Sequence, residues 1–170
     1  IRQMESRYLM EQVSFVFQDV YLFKQSIRDN IRLGNQNASD EQIQAAAKAA
    51  QCHDFIMALP NGYDTVIGEQ GIHLSGGEQQ RIAIARAIVK DAPVIVLDEA
   101  TAFADPENEH LIQKAFEKLM HGKTVIIIAH RLSTVRNADA ILVLENGRVN
   151  LKKYGINVEE MLAQRELEQN

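Results

Sequence analysis

Apolar and polar positions divide the chain into short strands and amphipathic helices. Val13, Phe15 and Phe17 alternate as a strand that runs into Gln18 and Asp19. Ser39 stands three residues before Gln42, the spacing of a capping box in which each side chain satisfies an orphan amide of the other. The Ala-rich stretch Ile43–Leu59 predicts one helix, stopped by Pro60-Asn61-Gly62. A glycine-punctuated loop, Asp64–Leu74, leads to Ser75-Gly76-Gly77-Glu78. Ile82, Ala85, Ile88 and Val89 then recur at helical spacing up to Lys90-Asp91-Ala92-Pro93. Val94-Ile95-Val96-Leu97 has no polar face, the pattern of a parallel strand covered on both sides. Asp105-Pro106 predicts a cap followed by a proline at the first helical position, where its missing amide costs nothing. Leu111, Ile112, Ala115, Phe116 and Leu119 line one face of that helix, and His121-Gly122 closes it. Val125–Ala129 and Ala140–Leu144 predict two further buried strands, the second followed by a tight turn at Glu145-Asn146-Gly147. Buried strands separated by helices predict an α/β fold with a largely parallel sheet.

Composition narrows the function classes. The 170 residues suit one domain, with 46% apolar and 24% charged types. A net charge of -5, from 23 acidic and 18 basic residues, argues against a nucleic-acid partner. Cys52 is the only cysteine, which excludes an intrachain disulfide and a cysteine metal site. The longest apolar runs, Val94–Leu97 and Val125–Ala129, fall far short of the roughly 20 residues of a membrane-spanning helix. No apolar leader with a basic front opens the chain. A membrane role is therefore expected to be exercised from outside the bilayer.

Chemistry concentrates at predicted element ends. Strand Val94–Leu97 ends in Asp98-Glu99, and open α/β sheets bind ligands at the carboxyl ends of their strands. Asp98 can support Mg2+ and Glu99 can polarise an attacking water; alternatively, the pair is an acidic strand end entering solvent. Ser75 and Glu78 have capping-box spacing, yet paired glycines weaken a helix start and clear its amides for phosphate. His130, directly after a buried strand, suits a phosphate contact or a backbone bond. Gln18, at another strand end, offers an amide oxygen for Mg2+ or water, or is only a polar loop residue. The ordered set has the layout of a phosphoryl-transfer site. No G-x-x-x-x-G-K-[S/T] phosphate cradle occurs in the 170 residues.

Taken together, these segments resemble the ATP-binding domain of ABC transporters of the exporter type. Val16-Phe17-Gln18-Asp19 with Ile27-Arg28-Asp29-Asn30-Ile31 resembles the Q-loop region. Leu74-Ser75-Gly76-Gly77-Glu78-Gln79-Gln80-Arg81 matches the signature motif, and Val94–Thr101 matches Walker B with the catalytic glutamate. Asp105 falls at the D-loop aspartate, Ala129-His130-Arg131 matches the switch-histidine segment, and Thr65–Gly71 resembles the X-loop. The likeness spans roughly residues 8–150.

The resemblance implies a P-loop NTPase-like ABC ATPase core with a parallel sheet and a helical signature subdomain at about residues 26–90. It also implies a divergent C-terminal tail at 150–170. Carried over residue by residue, it makes Gln18 a sensor of the γ-phosphate and Mg2+, Asp98 a support for Mg2+, and Glu99 the general base. His130 stabilises the transferring phosphoryl group. Ser75, Gly76 and Gly77, with Glu78 in the same segment, bind ATP held by an opposite domain. Asp105 crosses that interface, and Glu69 communicates with a transmembrane partner. The implied cofactors are ATP and Mg2+. The implied partners are a second nucleotide-binding domain, identical or homologous, and a transmembrane domain in the same full-length polypeptide at the cytoplasmic face of the cell membrane.

In this family a strand, an adenine-stacking aromatic residue and the Walker A loop precede the Q-loop. Only 17 residues precede Gln18 here, so the N-terminal part is expected to be missing and the 170-residue chain alone inactive. Ala102-Phe103-Ala104-Asp105 resembles an exporter group associated with iron-siderophore handling, whereas Gly155–Leu162 departs from the usual tail. The alternatives are a non-transport ABC-type ATPase, such as a DNA-repair or chromosome-maintenance head domain, and a regulatory nucleotide-binding module. Against the head domain stands the short Gln18–Ser75 interval, free of sustained heptads.

Overall fold

Strand β1 (Val13–Val16), helix α5 (Gly76–Lys90), strand β2 (Val94–Asp98), helix α6 (Pro106–Met120) and strand β3 (Thr124–Ile128) form the frame of the first of two compact units, Ile1–Ile128 and Ala129–Asn170. The computed structural model describes residues 5–68, 72–98, 106–129, 138–145 and 148–152. The three strands pair in parallel in the order β1-β2-β3, with Val16 opposite Leu97 and Leu97 opposite Ile127. Successive side chains in a strand point to opposite faces. Ser14, Val16, Ile95 and Leu97 are buried on one face, and the three apolar ones join a core with Ile82 and Ala85 of α5 and Ile112, Phe116 and Leu119 of α6. Each such large aliphatic or aromatic side chain removed from water contributes about 1.5–3 kcal/mol.

The other face departs from the sequence expectation. Among the described residues it is open, with Phe15 42%, Ile126 52% and Ile128 47% exposed. Apolar run length reports that a strand can be covered twice, not what covers it.

Helix α6 agrees with its sequence pattern. Pro106 is its first residue, Ile112, Ala115, Phe116 and Leu119 are buried, and Gly122 beyond its end adopts φ +72°. The cap assigned to Asp105 lies outside the described residues. Helix α1 (Ser6–Gln12), which the pattern did not announce, buries no residue. The Lys90 ammonium at the end of α5 donates to the carbonyls of Met10 (2.7 Å) and Val13 (2.6 Å), fastening the entry of β1.

Between β1 and α5 lie α2 (Ile27–Arg32), α3 (Asp40–Ala49), α4 (His53–Ala58) and a 3-10 turn (Gly62–Asp64). Both predicted capping boxes form, at Ser39/Gln42 before α3 and at Ser75/Glu78 before α5. The single helix expected over Ile43–Leu59 is instead two. Gln51 takes the left-handed φ of 56°, its amide bonds Lys48 O, and the Cys52 amide bonds Ala47 O. That is a Schellman ending formed without glycine, which is why no breaker was legible there. In the second unit, β4 (Ile141–Glu145) pairs antiparallel with β5 (Arg148–Lys152). The strand expected over Ala140–Leu144 thus exists, but as half of a hairpin. The turn residues Asn146 and Gly147 lie outside the described residues.

Candidate functional site

The carboxyl ends of β1 and β2 are neighbours because the two strands are parallel and in register. Asp98 is the last residue of β2, and Gln18 is the second residue after β1. Asp98 is half-buried opposite Ile128, and Gln18 is exposed. The fold therefore brings an amide and a carboxylate to one edge of the sheet, where ligands of open α/β sheets gather. Glu99 follows Asp98 directly, and His130 comes two residues after β3. Glu99, Asp105, His130 and Glu69 lie outside the described residues.

Both candidate donors are oxygen atoms, the class that suits Mg2+, an ion that keeps waters and shares its shell with substrate phosphates. Among the described residues no group of three or more His, Cys, Asp or Glu side chains is arranged to hold a metal ion. One carboxylate and one amide fit an ion delivered with phosphate.

The Ser75–Glu78 segment forms the first turn of α5. Ser75 Oγ accepts from the Glu78 amide (3.3 Å), while Glu78 Oε2 accepts from the Ser75 amide and hydroxyl (both 2.8 Å). The capping reading is correct as far as it goes. It does not account for Gly76, whose missing Cβ would meet nothing within 4 Å and whose φ is not positive. Neither packing nor backbone conformation within the described residues calls for glycine there. The free amides of a helix start and the positive end of its dipole favour an anion. Ser75 and Gly76 are exposed, whereas Gly77 and Glu78 are half-buried.

Sequence reasoning passed over a buried polar node between α2, α5 and the segment that follows Gln18. Asn30 is 0% exposed, and its side chain bonds the backbone of the segment that follows Gln18: its amide donates to Phe23 O and Ser26 O (both 3.0 Å), and its oxygen accepts from the Phe23 amide (2.9 Å). Arg86 of α5 reaches the same place. A signal existed, because Asn30 shares the i, i+3, i+4 face of Ile27 and Ile31, where a polar side chain must find partners.

The sequence model of the ABC transporter family matches residues 1–102. Over 150 residues the chain is 55% identical to an ATP-dependent lipid A-core flippase of Acinetobacter baylyi, covering 88% of the chain and 26% of the relative. It is 53% identical over 148 residues to a beta-(1→2)glucan export ATP-binding/permease protein of Brucella suis, covering 87% and 25%. It is 51% identical over 149 residues to a putative multidrug export ATP-binding/permease protein of Bacillus subtilis, covering 88% and 26%. The chain spans about a quarter of the length of these curated relatives.

Proposed function

The chain belongs to the ABC transporter family, and we propose that it serves as the ATP-hydrolysing part of an exporter-type transporter. The observation that carries this reading is the parallel register that sets Gln18 and Asp98 at one carboxyl edge of the sheet. In this reading Asp98 and Gln18 hold Mg2+, which when bound neutralises charge on the phosphates. Glu99 takes the proton of the attacking water, and His130 hydrogen-bonds the transferring phosphoryl group. Ser75, Gly76 and Gly77 present amides to the terminal phosphate of an ATP held by a second copy or a homologue of this domain, with Glu78 fixing the turn. Asp105 lies across the same junction, and residues 26–90 act as the helical signature subdomain.

Among the described residues no helix is long and apolar enough to cross a membrane. The relatives named as ATP-binding/permease proteins favour a transmembrane domain in the same full-length polypeptide, with the present part at the cytoplasmic face of the membrane. Their names span a lipid, a glucan and drugs, so the cargo is not read from this part of the chain.

The test uses the full-length protein. Glu99→Gln is nearly isosteric but cannot act as a base, so it should leave Mg-ATP affinity within about twofold and lower single-turnover hydrolysis by roughly 10²–10⁴-fold. An unchanged chemical rate contradicts the assignment.

A further inference from the structure

We infer that Arg86 and Asn30 form a positioning pair that makes the 21–26 segment and helix α5 move as one body during the catalytic cycle; this rests on the function proposed above. Arg86 lies ten residues after Gly76 on the same helix, so its displacement is transmitted to the Ser75–Gly77 turn through a continuous hydrogen-bonded helix. Its guanidinium is a three-way fork. Nε donates to Asn30 O (2.9 Å), Nη2 to Asn30 Oδ1 (3.1 Å), and Nη1 to Tyr21 O (3.3 Å). Asn30 in turn holds the backbone of Phe23 and Ser26, with a longer bond to Gln25 O (3.4 Å). One residue of α5 thus grips, directly or through one side chain, four backbone positions of the segment that begins three residues after Gln18.

Two further observations separate this node from ordinary packing. Burial lowers the pKa of the Arg86 guanidinium, and among the described residues no carboxylate pairs with it. A desolvated cation facing only neutral oxygens is a poor way to gain stability. Its planar fork, however, fixes geometry as no single-point donor does. The backbone of Arg86 is also closely approached, by the chain just past the same helix α2. A Cβ on Gly34, just past α2, would stand 2.1 Å from Arg86 O and 2.8 Å from Val89 Cγ1. The stretch from Tyr21 to Gly34 thus meets Arg86 at both its carbonyl and its guanidinium. Interfaces packed this closely shift as units rather than deform.

The experiment compares the full-length transporter with its Arg86→Met variant, which keeps the volume of the side chain and removes its three donors. Turnover is measured per folded, nucleotide-binding site, and hydrogen exchange is followed with and without Mg-ATP in segments 21–26 and 75–79. The pair predicts a kcat lower by about tenfold, a KM for Mg-ATP changed less than about twofold, and partial recovery in Arg86→Lys. It also predicts that Mg-ATP alters exchange in both segments of the wild type, but no longer in both together in Arg86→Met.

Should Arg86→Met fail to accumulate, Arg86→Lys carries the same test, because one ammonium cannot reproduce the fork. Unchanged kcat per folded site overturns the proposal, whether or not Arg86→Met melts earlier, since earlier melting alone is what a merely structural contact gives. Loss of exchange protection that is uniform and indifferent to nucleotide overturns it as well. A wild-type transporter that does not hydrolyse Mg-ATP overturns the parent function, and this inference with it.

Discussion

The α2–α5 junction and the carboxyl edge of the sheet differ in how much of their chemistry is used internally. At the junction, Asn30 has no exposure, its amide and carbonyl are fully engaged, and Gly34 admits the Arg86 carbonyl where a single extra carbon would not fit. At the edge, Gln18 is exposed and Asp98 is half-buried; at the separate start of α5, Gly76 opens onto empty space. The two places hold the same residue type, glycine, for opposite reasons. One glycine exists because the chain packs against it; nothing in the described chain packs against the other. In the function proposed above, Gly76 leaves the helix start clear for a ligand rather than for packing within the described chain.

The same substitution at both glycines is the sharpest way to break this comparison. Gly34→Ala forces carbon into backbone, a clash expected to destabilise by about 1–3 kcal/mol and to lower the melting temperature by several degrees. Gly76→Ala meets no neighbour and should leave stability unchanged or raise it by up to about 1 kcal/mol. Equal melting temperatures for the two variants contradict the contrast.

A smaller effect belongs to the caps. Ser39→Ala removes an N-cap hydroxyl bonded to the Gln42 amide and should cost about 1 kcal/mol by chemical denaturation, with no change in ATP turnover per folded molecule. Ser75→Ala removes the equivalent bond from α5, but should lose turnover beyond its similar stability cost. If both variants behave alike, the second cap is only a cap.

The smallest expectation at neutral pH concerns Cys52, whose buried thiol donates to Ala47 O and has its pKa pushed up to about 12 by desolvation. A folded-state value raised above the ordinary 9.0 means stability is fully present below pH 9 and is lost as pH climbs towards 12. Tyr63, also pushed up to about 12 by burial, adds to the same alkaline limb. Melting temperatures across pH 8–11 should fall, and Cys52→Ala should flatten part of the fall. A thiol that reacts rapidly with Ellman's reagent in the native protein at pH 8 contradicts this burial.

What the sequence disclosed was local or periodic. The two capping boxes form because their partners are three residues apart, and the buried face of α6 follows from helical spacing. Gln18 and Asp98 were legible as strand ends, and the parallel register brings them to one edge. The break after Ala49 was not legible, since Gln51 turns left-handed without glycine's freedom. Nor was the open sheet face, because Phe15 and Ile126 read the same whether covered or bare. Arg86 and Asn30 are 56 positions apart, beyond any spacing rule, although the polar residue on the apolar face of α2 pointed to a hidden partner. Glu99, Asp105 and His130 rest on sequence alone.

The central claim is that the first turn of α5 meets phosphate from outside its own domain, and one measurement tests it most directly. In the full-length protein carrying Glu99→Gln to hold the ATP-bound state, Gly76→Asp adds a carboxylate where a highly charged phosphate should approach. As an ordinary cap, that aspartate would favour the helix dipole and change nothing else. With the nucleotide-binding part released by proteolysis after Mg-ATP loading, sedimentation reads its dimer fraction at matched nucleotide occupancy. Selective loss of the dimer in the Gly76→Asp protein is the predicted result; equal dimer fractions with and without the substitution contradict the claim.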